Sequence, residues 1–232
     1  MDSRLDRLAS MGIDVWRSRL KPPFGPQDAT MPESPDLDIP VPPLNMDIIA
    51  DWQELEAAVK DCCRCPLHET RTQTVFGVGD RTAQWMFIGE APGEQEDLKG
   101  EPFVGRAGQL LDEMIKAIGL AREEVYIANV LKCRPPNNRD PAPVEATACE
   151  SYLLSQVALV KPAIIVAVGR IAAQHLLKTT VAIGKLRGIV HDYRSIPLVV
   201  TYHPAYLLRS QTEKRRAWDD LKLARRTVRG QR

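Results

Sequence analysis

The sequence predicts an α/β fold: a mainly parallel, four-stranded central sheet covered by helices on both faces. Four short apolar runs rich in β-branched residues recur along the chain, and segments with helical three-and-four spacing separate them. Short buried strands alternating with helices imply a parallel sheet, which needs helices on both faces. Of 232 residues, 44% are hydrophobic and 26% charged, a globular composition that excludes a wholly disordered chain.

At the start, Leu5, Leu8, Val15, Trp16 and Leu20 suit one side of a short amphipathic helix. From Pro22 to Val59 there is no Lys or Arg but there are eight acids, and eight prolines fall between Pro22 and Pro43. Proline fixes the backbone and removes donors, so this stretch is expected to be an extended linker without a core of its own. Residues 1–45 are expected to be a helix plus a Pro-rich acidic linker, largely disordered, and residues 46–232 the folded domain. The helix reads as a frayed terminus or as a docking peptide for a protein partner.

The strands are Trp85–Ile88, ending at Gly89, then Val125–Ala128, Ile164–Val168 and Leu198–Tyr202. Leu110, Leu111, Met114, Ile115 and Ile118 mark a helix after the first, and Leu153, Leu154 and Val157 mark another after the second. Further helices are expected over Ile171–Leu177 and about Thr212–Val228. From Arg209 to Arg232 nine Lys/Arg face three acids, net +6, which fits a solvated helix face and phosphate contact equally.

Over the whole chain, Lys+Arg 31 against Asp+Glu 30 leaves +1, so bulk charge does not announce a nucleic-acid binder. No apolar run approaches the roughly 20 residues that span a bilayer, and the first twelve residues lack the apolar stretch of a signal peptide. The expectation is a soluble, cytoplasmic protein with no membrane partner. Five cysteines, an odd number, argue against a disulfide framework.

Ligands of open α/β sheets bind beyond the carboxyl ends of the strands. Three of the four strands run there into polar segments: Gly89–Asp97, Asn129–Pro136 and His203–Arg209. Their coincidence at one sheet edge predicts a shared site. Separately, Cys62 and Cys65 form a C-x-x-C, joined by Cys133 and, sixteen positions later, Cys149. Four thiolates in a reduced compartment suit zinc or an iron–sulfur cluster, and spacing does not separate the two. Cys63, inside the C-x-x-C loop, reads as a spare thiol.

Cys62-x-x-Cys65-Pro66-Leu67, Gly89-Glu90-Ala91-Pro92-Gly93, Gly100-x-Pro102-Phe103-Val104-Gly105-x-Ala107-Gly108, Lys132-Cys133-Arg134-Pro135-Pro136 and His203-Pro204-x-Tyr206-Leu207-Leu208 occur in this order. This series closely resembles the family 4 uracil-DNA glycosylases, over about Cys62 to Arg209. The resemblance implies a three-layer α/β/α domain, a structural [4Fe–4S] cluster on Cys62, Cys65, Cys133 and Cys149, and uracil-containing DNA as the partner of a monomeric repair enzyme. That enzyme flips uracil out of DNA and hydrolyses its N-glycosidic bond.

Such chemistry leaves a uracil anion and a cationic sugar, after the base is extracted from the stack. The resemblance makes Phe103 the base-stacking ring. Asn129 offers an acceptor and a donor, matching uracil N3–H and O4 and opposing cytosine. Glu96 is expected to crowd the thymine 5-methyl. His203 is expected to donate to O2, its other nitrogen held by an acceptor. Where other classes carry an aspartate, this chain has Ala91, which lines the base site without a polar atom; Glu90 takes its place as base, backbone anchor or electrostatic stabiliser. Tyr206, Leu207, Leu208 and Arg209 are expected at the DNA, the leucines as a wedge. A uracil-DNA trapping protein is a rival reading, but Arg134–Pro141 lacks the histidine that class carries. A non-catalytic iron–sulfur scaffold is the other, and it predicts disabled site residues.

Overall fold

In the computed structural model the described residues are 48–230. The terminal helix and the Pro-rich linker expected over 1–45, with their docking role, lie wholly outside them. Within the described part the acidic stretch does not stay extended: Trp52–Lys60 is a helix, α1, capped by the Asp51 carboxylate accepting from Glu54 N–H. Leu55 and Val59 on its inner face are buried. No proline lies between Pro43 and Pro66, so none interrupts this helix.

The sheet has six strands, not four. They are β1 (Val78–Gly79), β2 (Trp85–Gly89), β3 (Tyr126–Asn129), β4 (Ile164–Val168), β5 (Val190–Tyr193) and β6 (Ile196–Thr201), in the order β1-β3-β2-β4-β6-β5. The four expected strands are the parallel core, with registers such as Gly89↔Asn129 and Val168↔Thr201. The two additions are antiparallel edges. β1 is two residues long, and β5 reads Val-His-Asp-Tyr with alternating exposure; neither carries the apolar run of a buried strand.

The other helices are α2 (Glu94–Lys99), α3 (Arg106–Ala117), α4 (Pro143–Val160), α5 (Arg170–Leu176), α6 (Ile183–Leu186), α7 (Pro204–Arg209) and α8 (Lys214–Gly230). Strand alternation splits the core into two layers. Met86 and Ile88 pack with Leu153, Val157, Ala173 and Leu186, which places α4, α5 and α6 on one face. Trp85 and Phe87 pack with Leu111, Ile115, Leu207 and Leu221, which places α3, α7 and α8 on the other. On α8 the buried Ala217, Leu221, Ala224 and Val228 recur at three and four, so its arginines are left toward the outer side. Each buried Leu, Ile or Val contributes about 1.5–3 kcal/mol. A smaller cluster, in which Leu55, Val59, Leu67, Leu131 and Tyr152 surround Cys133 and Cys149, seats α1. Among the described residues no helix is long and apolar enough to cross a membrane.

Candidate active site at the carboxyl edge of the sheet

β2 and β4 are neighbours whose onward connections part, one to β3 on one side and the other to β5 and β6 on the opposite side. That is the switch point at which α/β sheets bind ligands. A cavity of about 490 Å³ opens there, bordered by Glu90, Ala91, Glu96, Phe103, Asn129, His203 and Arg209. The three strand ends deliver Glu90, Asn129 and His203, and the loop between α2 and α3 delivers Phe103. Residues scattered over a hundred-odd positions thus share one pocket.

Backbone detail explains how closely they meet. Gly89 ends β2, and a Cβ there would lie 2.4 Å from Asn129 Oδ1 and 2.6 Å from the Phe103 ring. Only glycine lets the amide and the ring converge over the strand end. Phe103 has φ 55°, a left-handed conformation uncommon for a bulky residue. Its ring lies 5.7 Å from the His203 ring, centroid to centroid, at 30°.

Asn129 is 2% exposed, and among the described residues its buried Oδ1, on this cavity, has no hydrogen-bond partner. A buried acceptor without a donor costs about 1–3 kcal/mol, so the oxygen awaits a ligand's N–H. The Asn129 main chain is held from behind. Lys132 Nζ donates to its carbonyl at 2.8 Å and to Gln156 Oε1 at 2.6 Å, and Gln156 Nε2 donates to Tyr126 Oη at 3.1 Å. Lys132 is 1% exposed, and burial lowers its pKa to about 8. This buried lysine was not singled out from sequence. Its signal in the sequence is its place in Lys132-Cys133-Arg134-Pro135-Pro136, next to a cysteine.

His203 caps α7: its Nδ1 accepts from Ala205 N–H at 3.2 Å. This corrects the expectation that an acceptor holds the second nitrogen. An imidazole whose Nδ1 accepts carries its proton on Nε2 when neutral, which makes Nε2 the donor. Burial, reinforced by the Arg209 charge, lowers the His203 pKa to about 4, against a smaller opposing effect of Glu96. The ring is therefore neutral at pH 7.

For Glu90, burial first and the Asp140 charge second raise the pKa to about 7, while Arg170 opposes. Asp140 borders the same cavity and accepts from Arg170 at 2.6 Å. Neither residue stands out in the sequence, where the Arg134–Pro141 segment that holds Asp140 is notable only for its lack of histidine. Glu96 reaches the cavity, but its carboxylate is engaged by backbone amides rather than free.

Leu207 is corrected. It is 1% exposed and packs in the core against the sheet, because the helical turn of α7 points it inward. Tyr206 and Arg209 are exposed and Leu208 is half-buried, so these three remain at the surface.

Cys62, Cys65, Cys133 and Cys149 line a second, small pocket, and Cys63 is exposed and outside it. Arg71 Nη1 donates to Cys133 Sγ at 3.0 Å and Lys132 N–H to Cys149 Sγ at 3.4 Å. Burial raises the Cys149 thiol to about 12 and raises Cys133 too. Among the described residues no three His, Cys, Asp or Glu side chains gather as ligands of a single ion.

An aromatic ring facing a neutral imidazole, with an unpaired amide oxygen on the same cavity, defines a binding site for a planar hydrogen-bonding ring in an α/β ligand-binding enzyme. The uracil DNA glycosylase superfamily model matches residues 76–222. The chain is 48% identical over 158 residues to the type-4 uracil-DNA glycosylase of Archaeoglobus fulgidus, covering 65% of this chain and 79% of that one. It is likewise 48% identical over 160 residues to that of Thermotoga maritima (68% and 83%) and 43% identical over 167 residues to that of Pyrobaculum aerophilum (68% and 85%). The chain belongs to the type-4 uracil-DNA glycosylases of this superfamily.

Proposed function

We propose that the protein excises uracil from DNA by hydrolysing its N-glycosidic bond, leaving an abasic site for base excision repair. The observation that carries this reading is the buried, unpartnered Asn129 Oδ1 beside the Phe103 ring. Uracil N3–H supplies the missing donor, and the Asn129 amide donates to O4. Cytosine presents an acceptor at N3 and a donor at N4, which sets the N3 lone pair against Oδ1 and N–H against N–H, at a cost of about 1–3 kcal/mol. The flipped base stacks on Phe103, which contributes about 1–3 kcal/mol.

As the glycosidic bond breaks, charge moves to uracil O2. Neutral His203 donates its Nε2 proton as a hydrogen bond to that oxygen, and no other charge state is needed. The sugar becomes cationic, and the Glu90 carboxylate stabilises it while water adds at C1′. Ala91, which offers no polar side-chain atom, lines the base site. Tyr206, Leu208 and Arg209 meet the DNA around the extruded nucleotide.

Cys62, Cys65, Cys133 and Cys149 are the ligands of a [4Fe–4S] cluster in this reading. The donor set fits. Four cysteine thiols lining one pocket would hold such a group. The N–H donors from Arg71 and Lys132 match the hydrogen bonds that stabilise cluster sulfurs. When bound, the cluster supplies a cross-link between the segment after α1, the loop after β3 and α4, with no step in the hydrolysis.

Cleavage of single- and double-stranded oligonucleotides carrying one uracil tests the activity. Alkali-labile strand breaks at the uracil are expected, and intact strands at micromolar enzyme reject it. Purified protein is expected to be brown and to contain iron; a colourless protein with stoichiometric zinc rejects the cluster.

A further inference from the structure

Glu96 lies between the two loops that wall the cavity. Its Oε2 accepts from Gly93 N–H at 3.1 Å, in the loop after β2. Its Oε1 accepts from Val104 N–H at 3.0 Å and Gly105 N–H at 3.1 Å, in the loop that carries Phe103. Gly93 is tight against it: a Cβ there would come within 2.7 Å of Oε2. Three amide donors from two segments converge on one carboxylate.

The Phe103 loop needs holding. Its φ of 55° is a conformation that a phenylalanine does not adopt on its own. On the far side its carbonyl is pressed against α3, where a Cβ on Gly108 would lie 1.7 Å from Phe103 O. The amides of Val104 and Gly105 follow directly after the ring-bearing residue, so the carboxylate grips the loop at its strained point. Charge-assisted hydrogen bonds to backbone N–H are the strong kind.

We propose that Glu96 is a positioning residue, a clamp that sets the Phe103 ring at stacking height opposite His203, rather than a barrier of size against the thymine methyl. The inference rests on the uracil reading above. It also separates two properties of the side chain: a barrier depends on bulk, whereas a clamp depends on oxygens that only accept. Every backbone partner here is a donor, so an amide at this position sets N–H against N–H.

The isosteric Glu96→Gln therefore discriminates. The expected result is a fall in kcat/KM on a single-uracil oligonucleotide of about tenfold to a hundredfold. In a Phe103→Ala background the same substitution is expected to cost less than about twofold more, because the clamp acts through the ring that is gone. Wild-type kcat/KM in Glu96→Gln overturns the proposal, as does uracil release at wild-type rate combined with thymine release by Glu96→Ala. Additive loss in the double variant also overturns it, since general destabilisation would persist without the ring. A wild-type protein inactive on uracil would instead reject the underlying reading.

Discussion

Two cavities of similar size lie at opposite ends of the strands. The one beyond the carboxyl ends holds about 490 Å³. The other, before β2 and β3, holds about 530 Å³ and is bordered by Asp80, Gln84, Trp85, Glu124, Arg225 and Arg229. Volume does not distinguish them; what burial does to their polar groups does. At the amino end Asp80 is solvent-exposed, and hydrogen bonds from Thr82 hold its carboxyl below the usual range. At the carboxyl end burial raises Glu90 and lowers His203, and Asn129 Oδ1 has no partner among the described residues. Groups whose charge is costly in the resting protein are the ones that can gain when a substrate changes their surroundings.

The comparison breaks most decisively on activity. His203→Ala or Asn129→Ala is expected to lower uracil release at least about 100-fold, with a native circular dichroism spectrum. Glu124→Ala or Arg229→Ala, at the amino-end cavity, is expected to stay within about twofold of wild type. Equal losses at both ends, in the same gel-based assay, would remove the distinction.

A smaller effect concerns the support behind Asn129. Lys132→Met leaves the Asn129 carbonyl and Gln156 Oε1 buried without the lysine. The expected loss is about 1–3 kcal/mol of stability per orphaned acceptor, read from the urea midpoint. An unchanged midpoint would show that the buried lysine holds nothing.

The smallest effect is a displacement along the pH axis. Glu90 ionises as pH rises through about 7, and its carboxylate faces the cationic sugar. kcat/KM should therefore rise across that range, and Glu90→Gln should abolish the rise. Asp140→Asn removes a neighbouring negative charge and should move the limb to lower pH; Arg170→Gln should move it to higher pH. A wild-type profile flat from pH 6 to 8 would exclude Glu90 from the rate.

The parallel core was legible because Ile164–Val168 and its counterparts are fully buried and so uniformly apolar. β5 was not, since an edge strand with His191 and Asp192 looks like a loop. α1 was hidden by the acids and prolines ahead of it, although the prolines stop well before Trp52. The pocket's corners were readable as polar residues just past strand ends. Leu207 was misplaced because nothing in His203-Pro204-x-Tyr206-Leu207-Leu208 tells which leucine a short helix turns inward. The His203 tautomer was also beyond reach: it depends on the amide two residues on, which a sequence shows only as Ala205.

That backbone contact has a practical consequence for anyone dissecting the enzyme. One imidazole both starts α7 and faces the base, so alanine at position 203 removes a helix cap and an oxyanion partner together, and the measured deficit mixes the two. Asparagine is a strong N-cap that can accept from the Ala205 amide through its own oxygen. His203→Asn keeps the helix start while withdrawing the Nε2 proton, so the difference between the two variants isolates what the ring contributes to bond cleavage.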